Sequence, residues 1–466
     1  MKKKQTDREV FRDSVSTIDE SGRRNWIYPV KPSGKFYNYR VYLSYLLLAI
    51  LVFTPFIRVN DRPLFLFDIL EGRFILFGKI FWPQDFFIFG LTMITLIVLL
   101  ILFTVAFGRI FCGWICPQTI FMEMLFRRIE YFIEGSASKM KLRDKRPWDW
   151  EKIRVRGTKY VVFWGVSFLI GNIFLAYIIG SDQLLEIVTS PPTEHLTGFI
   201  AMLIFTTVFF FIYSWFREQV CIVVCPYGRL QGVMLDRDSM VVAYDYVRGE
   251  PRGKISKTAP DDLGDCIDCD LCVKVCPTGI DIRNGTQMEC VHCTACMDAC
   301  DSIMEKVNRP KGLIRYASEE GIAKNKPLRY TPRMRIYSVV LLALVGLLSF
   351  ILVTRPDVEA RILRVGGQLY HIQEEEGTIS NLYNLHLVNK TFREVPVELR
   401  LLNYDGRIDI VGDRQLNVPA ESNIQSPILI YLDRDQIQQR TTEIEIGIYS
   451  GDDRISTYRT NFHGPN

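Results

Sequence analysis

Five long uncharged stretches constrain this 466-residue chain more than any other feature. None contains Lys, Arg, Asp or Glu, and they run over Val41–Ile57, Phe86–Phe107, Tyr160–Gly180, Gly198–Phe216 and Ile336–Val353. A helix needs roughly 17–25 apolar residues to cross a bilayer. Helices at the surface of a soluble protein keep a polar face, which these stretches lack. The sequence therefore predicts an α-helical membrane bundle of about five spans.

Basic residues near the ends of the spans predict how the chain is oriented. Residues 1–40 carry 10 Lys and Arg, residues 108–159 carry 12 and residues 217–335 carry 18, whereas residues 58–85 carry 4 and residues 181–197 carry none. Because basic residues collect on the cytoplasmic side, we expect the polar N-terminus and the two long connections there, and the C-terminal part on the outer side. All 12 cysteines then lie in the reducing compartment.

Eight of these cysteines repeat one spacing, Cys-x-x-Cys-x-x-Cys-x-x-x-Cys, within residues 266–300. Three cysteines on a tight loop can wrap one cubane while the distant fourth cysteine crosses to the sister cluster. We therefore predict two [4Fe–4S] clusters in a bacterial-type ferredoxin domain, residues 241–335. The first cysteine set is Cys266, Cys269, Cys272 and Cys300, and the second cysteine set is Cys276, Cys290, Cys293 and Cys296. Zinc is disfavoured, since its sites usually pair two Cys-x-x-Cys knuckles across a longer gap. His292, between two ligands, is expected to be an ordinary loop side chain.

The other four cysteines, here called the motif cysteines, form an internal repeat within the four-span bundle, residues 41–240. Cys112 and Cys116 precede Pro117 after the second span, and Cys221 and Cys225 precede Pro226 after the fourth. Helices are predicted to follow, over Gln118–Ile133 and Tyr227–Asp236, because Pro suits the first position of a helix. A pseudo-twofold pairing would bring the four thiols together.

Three roles remain open for the motif cysteines. They could ligate a soft metal such as Cu(I), zinc or an iron–sulfur centre, form redox-active disulfides, or pack as small apolar side chains. Arg109 and Arg217 stand beside the two motifs. We expect both to anchor at the lipid headgroups, with a lowered thiol pKa as the alternative effect.

Two further segments complete the organisation of the chain. Short alternating stretches between residues 357 and 466, which follow the fifth span (336–353), predict a β-sandwich that serves for docking or spacing; they are Leu385–Val388, Val395–Leu402, Pro427–Tyr431 and Ile444–Tyr449. Leu64–Trp82 is apolar with four charges, and we expect a helix lying in the outer interface. The 56 Lys and Arg are spread around membrane segments, which argues against a nucleic-acid partner.

Together these features resemble the cytochrome c oxidase accessory family, the CcoG/FixG/RdxA-type membrane ferredoxins. The resemblance covers nearly the whole chain and is carried by 62–65, 82–85, Phe111–Gln118, Cys221–Gln231 and Cys266–Pro277 with the residues to Gly285. It implies a protein of the bacterial cytoplasmic membrane, with an immunoglobulin-like periplasmic domain. It also implies reduction of Cu(II) to Cu(I) for assembly of a cbb-type oxidase, with copper-transport and oxidase-assembly proteins as partners.

Two alternatives keep the same architecture. The chain could be a quinol-linked electron-transfer subunit of a respiratory chain, because quinol-dehydrogenase subunits share the twin motif and the clusters. It could also be a non-catalytic assembly scaffold. The spacing by itself indicates a membrane electron carrier, supplied by a cytoplasmic or a quinol donor, and leaves a permanent metal at the motif cysteines open.

Overall fold

The structure is a computed structural model. It describes residues 16–18, 21–59, 62–68, 72–76, 79–82, 85–254, 263–325, 327, 330–356, 358–367, 369–374, 377–412, 416–420, 422–437 and 439–465. Pro83 and Gln84, which contribute to the resemblance, lie outside the described residues, as do residues 1–15. The chain forms two compact units, Met1–Arg58 with Gly90–Val345 and Val59–Phe89 with Gly346–Asn466.

Five described helices are long and apolar enough to cross a membrane, which confirms the predicted number. The helices are Lys35–Phe53, continued by a 3-10 turn at Thr54–Phe56, then Phe86–Phe107, Trp150–Ile179, Leu196–Phe211 with a π-turn at Ile212–Phe216, and Pro332–Thr354.

Two of these helices begin well before the uncharged stretches that predicted them. The first includes Arg40, whose buried side chain donates from Nε to the Gly113 carbonyl oxygen at 2.6 Å. The third begins after Asp149, whose carboxylate accepts the Lys152 backbone N–H at 2.7 Å as a helix N-cap. Arg40 and Lys152 are buried, so the protein itself surrounds these two charges.

Short helices connect the spans. The first connection contains Ile110–Trp114, Pro117–Thr119, a π-helix at Ile120–Phe126, Arg127–Glu134 and Ala137–Lys145. Ser181–Thr189 links the third and fourth spans, and a π-helix at Val220–Val224 precedes Pro226–Met234. Pro117 and Pro226 each stand in the first turn of a helix, so the predicted helices after both motifs are confirmed.

The ferredoxin domain lies in the first unit. Its antiparallel strands Val241–Tyr244 and Ile314–Ala317 accompany the helices Tyr246–Gly249, Leu271–Lys274, Ala295–Lys306 and Glu319–Lys324 and a 3-10 turn at Ile282–Asn284. Asp298 joins this domain to the first membrane helix, because its carboxylate accepts the backbone N–H groups of Phe36 at 3.1 Å and Tyr37 at 2.7 Å. These N–H groups belong to the first turn of that helix, where an anion is favoured.

The second unit contains the β-sandwich. Its described strands are β1 (Val358–Arg364), β2 (His371–Gln373), β3 (Thr378–Asn389), β4 (Val395–Leu401), β5 (Gly406–Ile410), β6 (Leu416–Val418), β7 (Asn423–Asp433), β8 (Thr441–Ser450) and β9 (Asp453–His463). One sheet has the order β5-β7-β3-β1 with β2 beside β3, and the other has the order β6-β4-β8-β9. Three of the four predicted strands lie within these elements, and the fourth, Val395–Leu402, extends one residue beyond β4. Alternate residues such as Tyr383, Ile430 and Ile446 fill the core.

The prediction of an interfacial helix at Leu64–Trp82 is wrong. The described residues of this segment form three antiparallel strands, Phe65–Asp68, Arg73–Leu76 and Lys79–Phe81. Leu66, Ile75 and Ile80 point to one side and bury against Phe392 of the sandwich. Aromatic and β-branched residues favour a pleated surface, and Gly72 takes the positive φ of 68° that a turn between the first two strands requires.

A buried group of charges also belongs to the second unit. Lys390 Nζ donates to Asp85 Oδ1 and to Glu359 Oε2, both at 2.8 Å. Arg355 pairs with the same Asp85 carboxylate. The side chains of Lys390 and Asp85 are 4% and 7% exposed, so each charge depends on the others for stabilisation.

Candidate functional site

Two cavities in the ferredoxin domain divide the eight cysteines as the spacing predicts. One is lined by Cys266, Cys269, Cys272 and Cys300. The other is lined by Cys276, Cys290, Cys293 and Cys296, and Cys272 also contributes to its wall. In both sets the fourth cysteine comes from the opposite run. The individual ligand assignments remain a prediction, which this arrangement supports.

The two loops that present the cysteines share one backbone conformation. Asp268 and Asp270 have φ of 52° and 59° in the first cluster loop (266–272), and His292 and Thr294 have φ of 53° and 64° in the second cluster loop (290–296). In each loop the left-handed residues stand on either side of the middle cysteine, Cys269 or Cys293. The loops therefore fit the same kind of centre.

The surroundings of the cysteines suit a deprotonating metal centre. Burial raises the pKa of Cys272 and Cys300 to about 12 in the first set. It also raises the pKa of Cys290 to about 12 and that of Cys293 to about 11 in the second set. Free thiols in such places stay protonated at neutral pH, so iron has to displace the protons when it binds. Both cavities are walled mainly by apolar side chains such as Ile282 and Leu313.

The motif cysteines occupy equivalent places in two structural repeats. Cys112 lies in the helix Ile110–Trp114 and Cys221 in the π-helix Val220–Val224. Cys116 and Cys225 are each the N-cap of the helix that begins with proline.

Burial and the neighbouring motif cysteines both oppose ionisation of Cys112 and Cys221. Burial raises the pKa of Cys112 to about 11 although Arg109 opposes it, and Cys116 and Cys225 contribute to the rise. Burial raises the pKa of Cys221 to about 12, with further contributions from Cys116, Cys112 and Cys225. The structure therefore brings the four motif cysteines into one neighbourhood.

Hydrogen bonds cross between the repeats in a pseudo-twofold manner. Thr104 and Tyr213 each stand eight residues before the first cysteine of their motif, and Gln118 and Tyr227 each stand two residues after the second. The Thr104 and Tyr227 hydroxyls bond to each other at 2.9 Å, and the Tyr213 hydroxyl donates to Gln118 Oε1 at 2.7 Å. Each span thus contacts the motif of the other half.

The first motif loop (108–117) packs directly on the second cluster loop. Cys112 contacts an apolar group that includes Val291 and Cys293. The backbone of Gly113 lies so close to the second cluster loop that a Cβ at this position would be 2.4 Å from the Val291 carbonyl oxygen. Trp114 Nε1 donates to the His292 carbonyl oxygen at 3.3 Å. One motif cysteine therefore adjoins the second cysteine set.

His292 is more than the ordinary loop residue that the sequence suggested. Its side chain is 2% exposed, and Nδ1 accepts the Arg109 backbone N–H at 3.1 Å. Burial, assisted by the charge of Arg109, lowers the pKa of His292 to about 3. The imidazole is therefore neutral at physiological pH, with its proton on Nε2.

The prediction that Arg109 and Arg217 anchor at lipid headgroups is wrong, because both are buried. Arg109 Nε donates to Gln231 Oε1 at 3.0 Å, and Gln231 also accepts from the Cys112 thiol at 3.2 Å. Arg217 Nη2 donates to Glu130 Oε2 at 2.7 Å. Both guanidinium groups thus find partners inside the protein.

Arg217 belongs to a buried network of four acidic and four basic side chains. Its members, within the described residues, are Arg24, Glu123, Arg127, Glu130, Glu134, Lys159, Arg217 and Glu218. Burial would raise the pKa of Glu130, but the charges of Arg217, Lys159 and Arg127 hold it at about 2. Sequence reasoning missed this network, because its members come from four separate segments of the chain, around residues 24, 123–134, 159 and 217–218.

Within the residues that the structure describes, no three His, Cys, Asp or Glu side chains converge as ligands of a single metal ion would. A cubane does not require such convergence, because each of its four irons takes its own cysteine. The cavities therefore fit cubanes. The motif cysteines would have to move closer together to share one ion.

A helical membrane bundle joined to a two-cluster ferredoxin domain defines a class, the membrane-bound iron–sulfur electron-transfer proteins. Family profiles agree: one described as "4Fe-4S dicluster domain" matches residues 216–319, and one described as "4Fe-4S binding domain" matches residues 89–143. The profile for the IG-like fold at the C-terminal of FixG matches residues 348–465.

Relatives that match most of the chain identify a family within this class. Protein RdxA of Cereibacter sphaeroides is 35% identical over 429 residues, which cover 89% of this chain and 90% of that protein. Nitrogen fixation protein FixG of Rhizobium meliloti is 33% identical over 461 residues, which cover 88% of this chain and 86% of that protein. Protein RdxB of Cereibacter sphaeroides is 34% identical over 385 residues, which cover 79% of this chain and 80% of that protein. The chain belongs to the FixG/RdxA family.

Proposed function

We propose that this protein reduces Cu(II) to Cu(I) at the motif cysteines with electrons from its two [4Fe–4S] clusters, and that the Cu(I) serves assembly of a cbb-type cytochrome c oxidase. Each cluster supplies one-electron transfer when bound. With Cys276, Cys290, Cys293 and Cys296 holding the second cluster, one electron from it would reduce each Cu(II) to Cu(I), and a cytoplasmic donor would replace that electron through the first. Soft thiolate ligands favour Cu(I) over Cu(II), which makes this reduction more favourable.

One observation carries the proposal: Cys112 lies against the loop that holds Cys290 and Cys293. A path from the second cysteine set to the motif cysteines therefore passes through packed side chains without crossing solvent. Cys269 of the first set is exposed, which suits a water-soluble donor. These two positions support the proposed order of donor, first cluster, second cluster and copper.

The orientation of the chain is part of the proposal. The distribution of Lys and Arg supports a cytoplasmic N-terminus and ferredoxin domain in the bacterial inner membrane, with a periplasmic β-sandwich. Reduction would then occur at the cytoplasmic edge of the membrane. Copper-transport and oxidase-assembly proteins are the partners that this reaction requires.

The test begins with anaerobically purified protein whose clusters have been reduced and the excess reductant removed. Cu(II) is added, and Cu(I) is followed with a chromogenic chelator while electron paramagnetic resonance follows the clusters. We expect Cu(I) to form as the clusters oxidise in the wild type. In Cys221→Ser, we expect the clusters to stay intact and Cu(I) formation to be lost.

Controls separate the alternatives. Ser181→Ala, in the connection between the third and fourth spans, changes a polar residue outside the site and should leave Cu(I) formation unchanged. Oxidation of the clusters by a quinone analogue, with no response to copper, would favour a quinol-linked role instead. Oxidase maturation that persists in cells carrying Cys293→Ser would favour the assembly scaffold.

A further inference from the structure

The second cluster loop contains a side chain with no part in holding iron that nevertheless contacts the first motif loop. The imidazole of His292 lies against Gly108, where a Cβ would be 2.9 Å from its Cε1 atom. Nδ1 accepts the backbone N–H of Arg109 at 3.1 Å. One side of the motif loop, before Cys112, is thereby fixed to the cluster loop.

The backbone of the same residue fixes the other side of the motif loop. Trp114 Nε1 donates to the His292 carbonyl oxygen at 3.3 Å. The two hydrogen bonds thus bracket Cys112 in the sequence, at Arg109 and at Trp114. Because Cys112 lies between them, it can leave the cluster loop only if at least one of these bonds opens.

The first cluster loop shows that a cluster loop of this form can fold without histidine here. Asp268 holds the equivalent position, two residues after the first cysteine of its run, with φ of 52° against 53° for His292. Its side chain is 41% exposed and pairs with Arg283 of its own domain at 2.6 Å. Asp268 is therefore the residue of a loop that is open to solvent at this position, whereas His292 is the residue of a loop that packs on the first motif loop.

We propose that His292 is a positioning residue for electron transfer, whose imidazole and carbonyl oxygen hold Cys112 against the second cysteine set. The nature of the electron acceptor rests on the proposed function. The contacts of His292 with the first motif loop do not depend on which acceptor takes the electron, so the two proposals can be tested separately.

The first test measures how accessible Cys112 is while both clusters are bound. In a chain with Cys116→Ser, Cys221→Ser and Cys225→Ser, Cys112 is the one cysteine outside the two sets. Its alkylation by N-ethylmaleimide is followed by mass spectrometry. We expect His292→Ala to accelerate alkylation roughly tenfold, the factor that one typical hydrogen bond gives to an opening equilibrium.

Three further variants make the result specific. His292→Asn should restore most of the protection, because Asn tolerates a positive φ and supplies an acceptor oxygen. Asp268→Ala is the matched control, with the same backbone conformation in the other cluster loop, and should leave the rate unchanged. Trp114→Phe removes the second hydrogen bond without altering the cluster loop, and should accelerate alkylation severalfold.

The second test measures oxidation of pre-reduced clusters by Cu(II) in a stopped-flow instrument, with all motif cysteines present. We expect slower oxidation in His292→Ala than in Asp268→Ala. Alkylation rates in His292→Ala and Trp114→Phe that equal the Asp268→Ala rate, with iron content intact, would overturn the proposal. Failure of Cu(II) to oxidise wild-type clusters would overturn the proposed function, while alkylation still decides the role of His292.

Discussion

The close approach at Gly113 gives the sharpest prediction about how the motif loop is joined to the cluster loop. A Cβ at this position would lie 2.4 Å from the Val291 carbonyl oxygen and 3.0 Å from the backbone carbon of His292. Ordinary contact begins at 3.4 Å, so Gly113→Ala requires the loops to separate by about 1 Å. Forcing a methyl group into a packed interface costs about 1–3 kcal/mol.

The higher helix propensity of alanine offsets part of this cost, and a second helical glycine provides the control. Gly113 lies in the helix Ile110–Trp114, where alanine is favoured over glycine by roughly 0.5–1 kcal/mol. Gly157 is also helical but has nothing within 4 Å of a Cβ. Gly157→Ala should therefore raise stability slightly, and Gly113→Ala should lower it by up to about 2 kcal/mol.

The assay is thermal unfolding in detergent, followed by the visible absorbance of the iron–sulfur clusters. Gly113→Ala should lower the midpoint by a few degrees relative to Gly157→Ala. It should also expose Cys112 to alkylation, since the motif loop no longer packs on the cluster loop. Equal midpoints and equal alkylation rates in the two variants would refute the inference that these loops are in tight contact.

Three other changes test separate parts of the structure. Glu130→Gln should cost about 3–5 kcal/mol because it removes the carboxylate that lies nearest to buried Arg217, at 2.7 Å, and leaves Glu218 at 3.9 Å. The pKa of Glu130 is held at about 2, below its ordinary value of 4.5, so its stabilisation should be complete above pH 4.5 and fade as the pH falls toward 2; circular dichroism against pH checks this, and a flat profile would contradict it. Lys390→Met should lower the unfolding temperature of the β-sandwich unit, whereas Arg400→Met, in an exposed ion pair, should change it little; equal effects would argue against the buried charge group. Cys300→Ser should remove the paramagnetic signal of the first cluster and leave about four irons per chain; loss of the second cluster instead would show that the cysteine runs do not cross.

The spans could be predicted from sequence because hydropathy is a local property. The first residues of the membrane helices could not be predicted. Whether a buried charged side chain can belong to such a helix depends on partners that are distant in the sequence. Lys159 illustrates this: it lies in the third membrane helix and pairs with Glu134 at 3.0 Å and Glu130 at 3.5 Å. The strands at 65–81 were missed for a similar reason. Phe392, which covers their apolar side, lies hundreds of residues away in the chain.

Spacing likewise predicted which cysteines share a cavity but not what surrounds each one. The cysteine pattern is identical in the two runs, so it cannot distinguish an exposed cluster loop from a buried one. The residues between the cysteines carry that distinction, because a loop facing water tolerates Asp268 and Asp270, whereas a loop beneath another element requires side chains that can be buried.

His292 and Thr294 are 2% and 1% exposed and stand in the same two positions of the second loop. Comparing the two runs position by position could therefore have indicated that the second cluster lies inward. The first motif loop covers the second cluster loop, whereas Cys269 of the first loop is exposed. This asymmetry between two loops of the same backbone conformation supports the proposed direction of electron flow, from the exposed side toward Cys112.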